Sequence, residues 1–202
     1  EDGSFYAFNV KYAAEPEKLN IEMQDFLAPT AGRLPSNRSD IYFKELGSES
    51  PILVKLIMQS IYQSDKRRIK HIGAQQFGMK FLLRGLYAHN GLFYFYTRID
   101  NDTNMPFAVD FVTFKVVDKK VAKRTAMQEQ VLQPLRAYHQ LLEVKANDNE
   151  RGVFVLEQFS LSQDKELQVT LYERGGGRTL SFSLDQEDLL LAQKIDKLKL
   201  KW

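Results

Sequence analysis

Between Met105 and Val116 the apolar residues change phase, and this limits the folds open to the chain. Met105, Phe107, Val109 and Phe111 take odd positions, while Val112, Phe114 and Val116 take even ones. Asp110 lies among the first set, and Thr113 and Lys115 among the second. Side chains alternate across a pleated strand, so a regular strand cannot bury both sets on one face. An extra residue in a bulge reverses the phase, as does a strand that turns a sandwich corner. The expectation is a layered or closed β domain in which Met105 to Val116 serves both layers.

Other stretches support a β reading. "FYAFNVKY" sets Tyr6, Phe8, Val10 and Tyr12 on one face, a half-buried strand at the start of the chain. "FGMKFLLRGLY" keeps Phe77, Met79, Phe81, Leu83 and Tyr87 in phase. Asn90-Gly91 follows, the favoured two-residue hairpin turn because both central positions need positive φ. That turn predicts Tyr87 opposite Tyr94 and Gly85 opposite Tyr96, the tyrosine covering the glycine's gap. Both faces of this hairpin are apolar, so it is expected in the middle of its sheet. Further strands are predicted over Val153 to Leu161, Leu167 to Tyr172 and Leu180 to Leu184.

Helices are expected only at the margins. Ser50-Pro51 reads as a helix start, with the serine accepting from free amides and proline at the first helical position. The helix runs to about Ser64, with Leu53, Ile57 and Ile61 in one row flanked by Leu56 and Met58. Asp185 is expected to cap a closing helix through about Ile195, and Pro134 argues against a long helix in "QEQVLQPLRAYH". The predicted fold is mainly β, an immunoglobulin-like antiparallel sandwich with marginal helices. Its parts are 1–65 (N-terminal strand, Pro-rich linker, amphipathic helix), 66–184 (sandwich) and 185–202 (C-terminal helix and tail).

Composition excludes several functions. The 202 residues carry 28 basic and 26 acidic side chains, net +2, far from the one-sided field of a dedicated nucleic-acid binder. With no cysteine, disulfides, thiolate metal sites and cysteine nucleophiles are ruled out. No apolar run reaches membrane-span length, and the opening Glu1-Asp2-Gly3 leads us to expect an upstream segment that carries any export signal.

Candidate chemistry is sparse. His71, His89 and His139 stand far apart with no second ligand at helical spacing, and no Gly-x-Ser-x-Gly elbow occurs. "RGGGR" at Arg174 to Arg178 could cradle a phosphate, but it lacks the P-loop lysine and helix and reads as a hairpin loop. No enzyme activity, cofactor or metal is expected. Two basic clusters remain, 66–71 and 119–124. Within the second, Lys119, Lys120, Lys123 and Arg124 form an exposed basic edge or turn and are the candidate partner-binding residues.

The runs "DGSFYAFNVKYAAEP", "KHIGAQQFGMKF", "DFVTFKVVDKKVAKRTAMQEQVLQPL" and "GGGRTLSF" together resemble the TraN family of Bacteroides conjugative transposons, over nearly the whole chain. "FKVVDKKVAKRT" is the most specific of them. The resemblance implies a non-enzymatic subunit of a type IV secretion-like DNA-transfer apparatus, exported to the periplasm and cell envelope. Expected partners are other transfer proteins of the envelope complex, with a homo-oligomeric ring and indirect outer-membrane association among the implied arrangements. The family supplies no catalytic residue. The alternative is a nucleic-acid-contacting module using clusters 66–71 and 119–124, which steep salt dependence would reveal.

Overall fold

The computed structural model describes residues 49–119, 129–139 and 141–195. Helix α1 (Pro51–Ser64) precedes strands β1 (Gly73–Gln76), β2 (Met79–His89), β3 (Leu92–Asn101) and β4 (Phe107–Asp118). Three short strands follow, β5 (Gln130–Leu132), β6 (Arg136–Tyr138) and β7 (Glu143–Val144). The rest are β8 (Asp148–Glu157), β9 (Lys165–Glu173), β10 (Thr179–Leu184), helix α2 (Gln186–Leu190) and β11 (Gln193–Lys194). One sheet has the order β1-β2-β3-β8-β6, and the other β10-β9-β4-β5 with β7 also on β4. Pairing is antiparallel apart from β11, which joins β2 in parallel. The fold is mainly β, an immunoglobulin-like sandwich with its helices outside the sheets, as the alternation predicts.

The phase change in β4 is a bulge. Val109 pairs with Glu173 and Phe111 with Tyr172, so Asp110 is the extra residue. Phe107 and Val109 before it, and Phe114 and Val116 after it, are all buried in the single core between the sheets. The strand therefore returns to the same core and does not serve two layers. A disturbed ladder costs about 0.5–1.5 kcal/mol per lost hydrogen bond. Turning Phe114 and Val116 to water would forfeit about 1.5–3 kcal/mol each, so the bulge wins. Phe111 and Met105, expected inward, point to water, and Phe111 packs on Tyr172 with ring centroids 4.7 Å apart. Phe111 follows the extra residue and so takes the solvent side.

A second bulge in β2 does the same to the β2–β3 hairpin. The register is as predicted, Tyr87 opposite Tyr94 and Gly85 opposite Tyr96, but Leu83 pairs with Thr97, which leaves Arg84 as the extra residue. Met79, Phe81, Leu83 and Leu86 consequently face the inter-sheet core, while Tyr87, expected in phase with the first three, joins Tyr94 and Tyr96 on the opposite face. The side chain over Gly85 belongs to Tyr87, not Tyr96: a Cβ at Gly85 would lie 2.8 Å from Tyr87 Cε2. Phe77 also leaves the predicted phase, because Phe77-Gly78 forms the turn of an additional hairpin between β1 and β2.

Helix α1 covers the tyrosine face. Val54, Ile57, Met58 and Ile61 pack on Tyr87, Tyr94, Tyr96, Val153 and Val155. The hairpin is thus buried on both faces, which accounts for its unbroken apolar sequence. Leu56 lies at the wet edge of the stripe, and Ser50 marks the helix start without a side-chain capping bond. Asp185 caps α2 as expected, its side chain accepting from Asp188 N. The helix stops at Leu190, however, well short of Ile195. Leu190 and Leu191 face water, whereas β11 fills the β2 edge at Tyr87 and Ala88 and buries Ile195. Backbone pairing and burial outweigh a longer helix there. The predicted strand at Tyr6 to Tyr12, the Pro-rich linker and the residues after 195 lie outside the described residues.

The bulge makes an unusual prediction. Deleting Asp110 leaves Phe107, Val109, Val112, Phe114 and Val116 in regular alternation, so the variant should still unfold cooperatively. Inserting one alanine after Thr113 turns Phe114 and Val116 to water and should abolish the cooperative transition, read by circular dichroism on heating.

Candidate functional site

Of the predicted partner-binding residues, Lys119 directly follows β4, exposed, with its N–H donating to Asp164 O at 2.8 Å. Lys120, Lys123 and Arg124 lie outside the described residues. In the other basic cluster, Lys66, Arg67, Arg68 and Lys70 are exposed along the β2 edge. The Arg84 bulge turns its carbonyl outward, where it accepts from Arg68 N at 2.7 Å and Ile69 N at 3.0 Å. Arg67 folds back on its own chain, donating to Ile69 O and Lys70 O.

The arginine at the bulge also fastens the helix. Asp65, the α1 C-cap, sits at φ 44° and receives Tyr96 Oη at 2.5 Å, Arg151 at 3.0 Å and Arg84 at 3.3 Å on one carboxylate oxygen. Arg84 also donates to Asp65 O, and Arg151 to Tyr62 O while stacking on the Tyr62 ring. A helix end leaves carbonyls without partners and carries partial negative charge, and the sheet supplies two guanidinium groups to meet it. Partial burial pushes the Asp65 carboxyl up, but the bonds from Tyr96 and Arg151 and the two positive charges hold it below its ordinary value. On Tyr96, burial and the Asp65 carboxylate together push the hydroxyl up to about 12. This cluster is a clasp between helix and sheet, and its arginines are already committed.

The "RGGGR" loop is likewise occupied from within. Arg178 forks onto Glu173 through Nε at 3.0 Å to each carboxylate oxygen, donates to Pro106 O at 2.8 Å and lies over Phe107. Arg174 donates to Ala108 O and Val109 O. A Cβ on Gly176 would sit 2.1 Å from Glu173 Oε2, so a side chain there would displace the Glu173 carboxylate. The loop is a hairpin connection in which Arg178 is tied to Glu173 and the exposed Arg174 makes one side-chain bond, to Val109 O. His71 lies 3.4 Å from Asp188, and His139 stacks on Tyr62. The described residues hold no group of three or more side chains placed to bind a metal.

One end of the sandwich has a different character. Asn101, buried at the end of β3, donates to Met105 O, Val144 O and Lys145 O at 2.8–3.2 Å. Its carbonyl oxygen accepts from Thr103 N and Thr103 Oγ1. Asn147 N donates to Thr103 O, and Asp102 N to Gly78 O at 2.9 Å. The β1–β2 turn, the β3–β4 loop and the β7–β8 turn are thereby tied to one another, and Arg178 adds the β9–β10 loop through Pro106. On this fixed frame Phe77 is 50% exposed and Met105 66% exposed. Sequence periodicity assigned both inward, so this surface was missed; the glycine after Phe77 was the available sign of a turn.

Residues 51–194 match the family model described as "Domain of unknown function (DUF4138)". No curated protein matches the chain.

The Glu173–Arg178 fork should show in stability. The bond from Arg178 holds the Glu173 carboxyl below its ordinary 4.5. A depressed carboxyl stabilises the fold fully above its unfolded value and loses that contribution as pH falls through the folded one. Glu173→Gln should therefore cost about 1–3 kcal/mol at neutral pH, measured by urea unfolding. The gap to wild type should narrow as pH falls below 4.5; a gap unchanged in acid would contradict this account.

Proposed function

The chain belongs to the DUF4138 family, and we propose that it is a TraN-type, non-enzymatic assembly subunit of a conjugative DNA-transfer apparatus, working by protein–protein binding. The observation that carries this reading is the sandwich end around Asn101. Loops that a binding-neutral fold could leave mobile are joined there by side-chain and backbone bonds, and they present apolar side chains to water. Loops held on a rigid scaffold are a common place for recognition. The sequence runs that resemble TraN supply the biological setting: other transfer proteins as partners, a type IV secretion-like envelope complex, and a periplasmic location. No described helix is long and apolar enough to cross a membrane.

A second reading keeps one observation in its favour. Lys66, Arg67, Arg68 and Lys70 are exposed along one edge, as a nucleic-acid contact by clusters 66–71 and 119–124 requires.

One experiment separates the two. The tagged intact protein is recovered from donor cells carrying the whole transfer operon, beside a variant with Lys119→Glu, Lys120→Glu, Lys123→Glu and Arg124→Glu. The assembly reading expects envelope transfer proteins with wild type, lost in the variant if the basic turn is their contact. DNA recovered in their place, and released steeply by salt, would overturn it.

A further inference from the structure

Two hairpin turns in the first sheet share a pair of positive φ angles and differ in the residue that bears the first. Asn90-Gly91 has φ of 42° and 77°, and Phe77-Gly78 has φ of 54° and 68°. Asparagine is among the residues that tolerate the left-handed region, whereas a bulky aromatic there is an outlier with a conformational penalty. No ring packing among the described residues offsets that penalty. Phe77 belongs to neither apolar cluster and makes no ring contact with any described residue, and half of it faces water.

The backbone beneath Phe77 is held in place from outside the turn. Gly78 O accepts from Asp102 N, and a Cβ on Gly78 would lie 2.5 Å from Thr103 Cγ2. Met105 N donates to Thr103 Oγ1 at 3.3 Å, so Thr103 meets both the Phe77-Gly78 turn and Met105. Three ion pairs near them are closed within the chain, Lys80 with Asp102, Arg98 with Asp100, and Arg178 with Glu173. Lys145 and Asp148, exposed beside Asn101, carry opposite charges. Such a surface offers an apolar centre and little net charge. An aromatic side chain held at fixed geometry with a neutral rim is the make-up of an interface anchor.

We infer that Phe77, with Met105 on the same loop frame, is the anchor that this end of the sandwich inserts into an uncharged apolar socket on a partner protein. The inference rests on the assembly reading above and names the surface that reading leaves open. Neither a charged polymer nor an acidic lipid surface finds complementary charge here.

The test compares the intact protein with Phe77→Asn and with Leu190→Asn, a control at a leucine 73% exposed elsewhere. Asparagine suits the turn, so Phe77→Asn should raise the melting temperature, by about 2–4 °C. In the operon-carrying donor cells the same variant should recover transfer proteins at least about tenfold less well than wild type, a step worth 1.4 kcal/mol. Leu190→Asn should recover them normally, and wild-type recovery should persist from about 0.1 to 0.5 M salt, since apolar insertion is little screened. A lower melting temperature for Phe77→Asn would make Phe77 a structural residue and overturn the inference. Equal recovery by Phe77→Asn and wild type would overturn it while leaving the assembly reading intact. Recovery of no transfer protein by wild type would sink the assembly reading itself and the anchor with it.

Discussion

The period of two along a pleated strand is the constraint on which this structure depends. Sheet faces must stay apolar on the core side over long strands, yet two of the longest, β2 and β4, carry sequences that break alternation midway. Each break is absorbed by one extra residue, Arg84 or Asp110, at which the pairing register shifts. The two bulges have different consequences. In β4 the bulge restores the core face, so that Phe114 meets Phe95 and Phe154 across the sandwich. In β2 it keeps Leu83 and Leu86 inside and sends Tyr87 to the helix side.

The Arg84 bulge also organises its surroundings. Its carbonyl anchors the chain that leads from α1 into β1, and its guanidinium meets the Asp65 cap at the end of that helix. One irregular residue therefore ties the helix layer, the sheet edge and the connecting segment into a unit. The arginines that serve as internal fasteners, Arg84, Arg151 and Arg178, are spread through stretches that look merely charged in sequence. Their commitment inside the fold leaves them little freedom to meet a partner.

Legibility followed the range of the interactions. The Asn90-Gly91 hairpin, its cross-strand partners and the Asp185 cap were readable because they depend on neighbours within a few residues. The β4 phase break was readable as a break, but its place, one residue before Phe111, depends on pairing with β9. Phe77 and Met105 were assigned inward because parity was extended through residues that form a turn and a loop. The closing helix was drawn too long because nothing near Gln193 reveals the open edge of β2, over a hundred residues earlier, that claims it.

The sequence by itself determined the β class, the strand-forming segments and the absence of cysteine chemistry, since alternation, turn residues and composition are properties of the chain alone. It also contained the runs on which the proposed transfer role rests. Tertiary structure alone decided which residue bulges, which face α1 covers, which arginines are spent internally and which apolar side chains remain outside. Each of those outcomes is a competition between distant segments for the same edge, face or charge, and that competition is settled only when the sheets have packed.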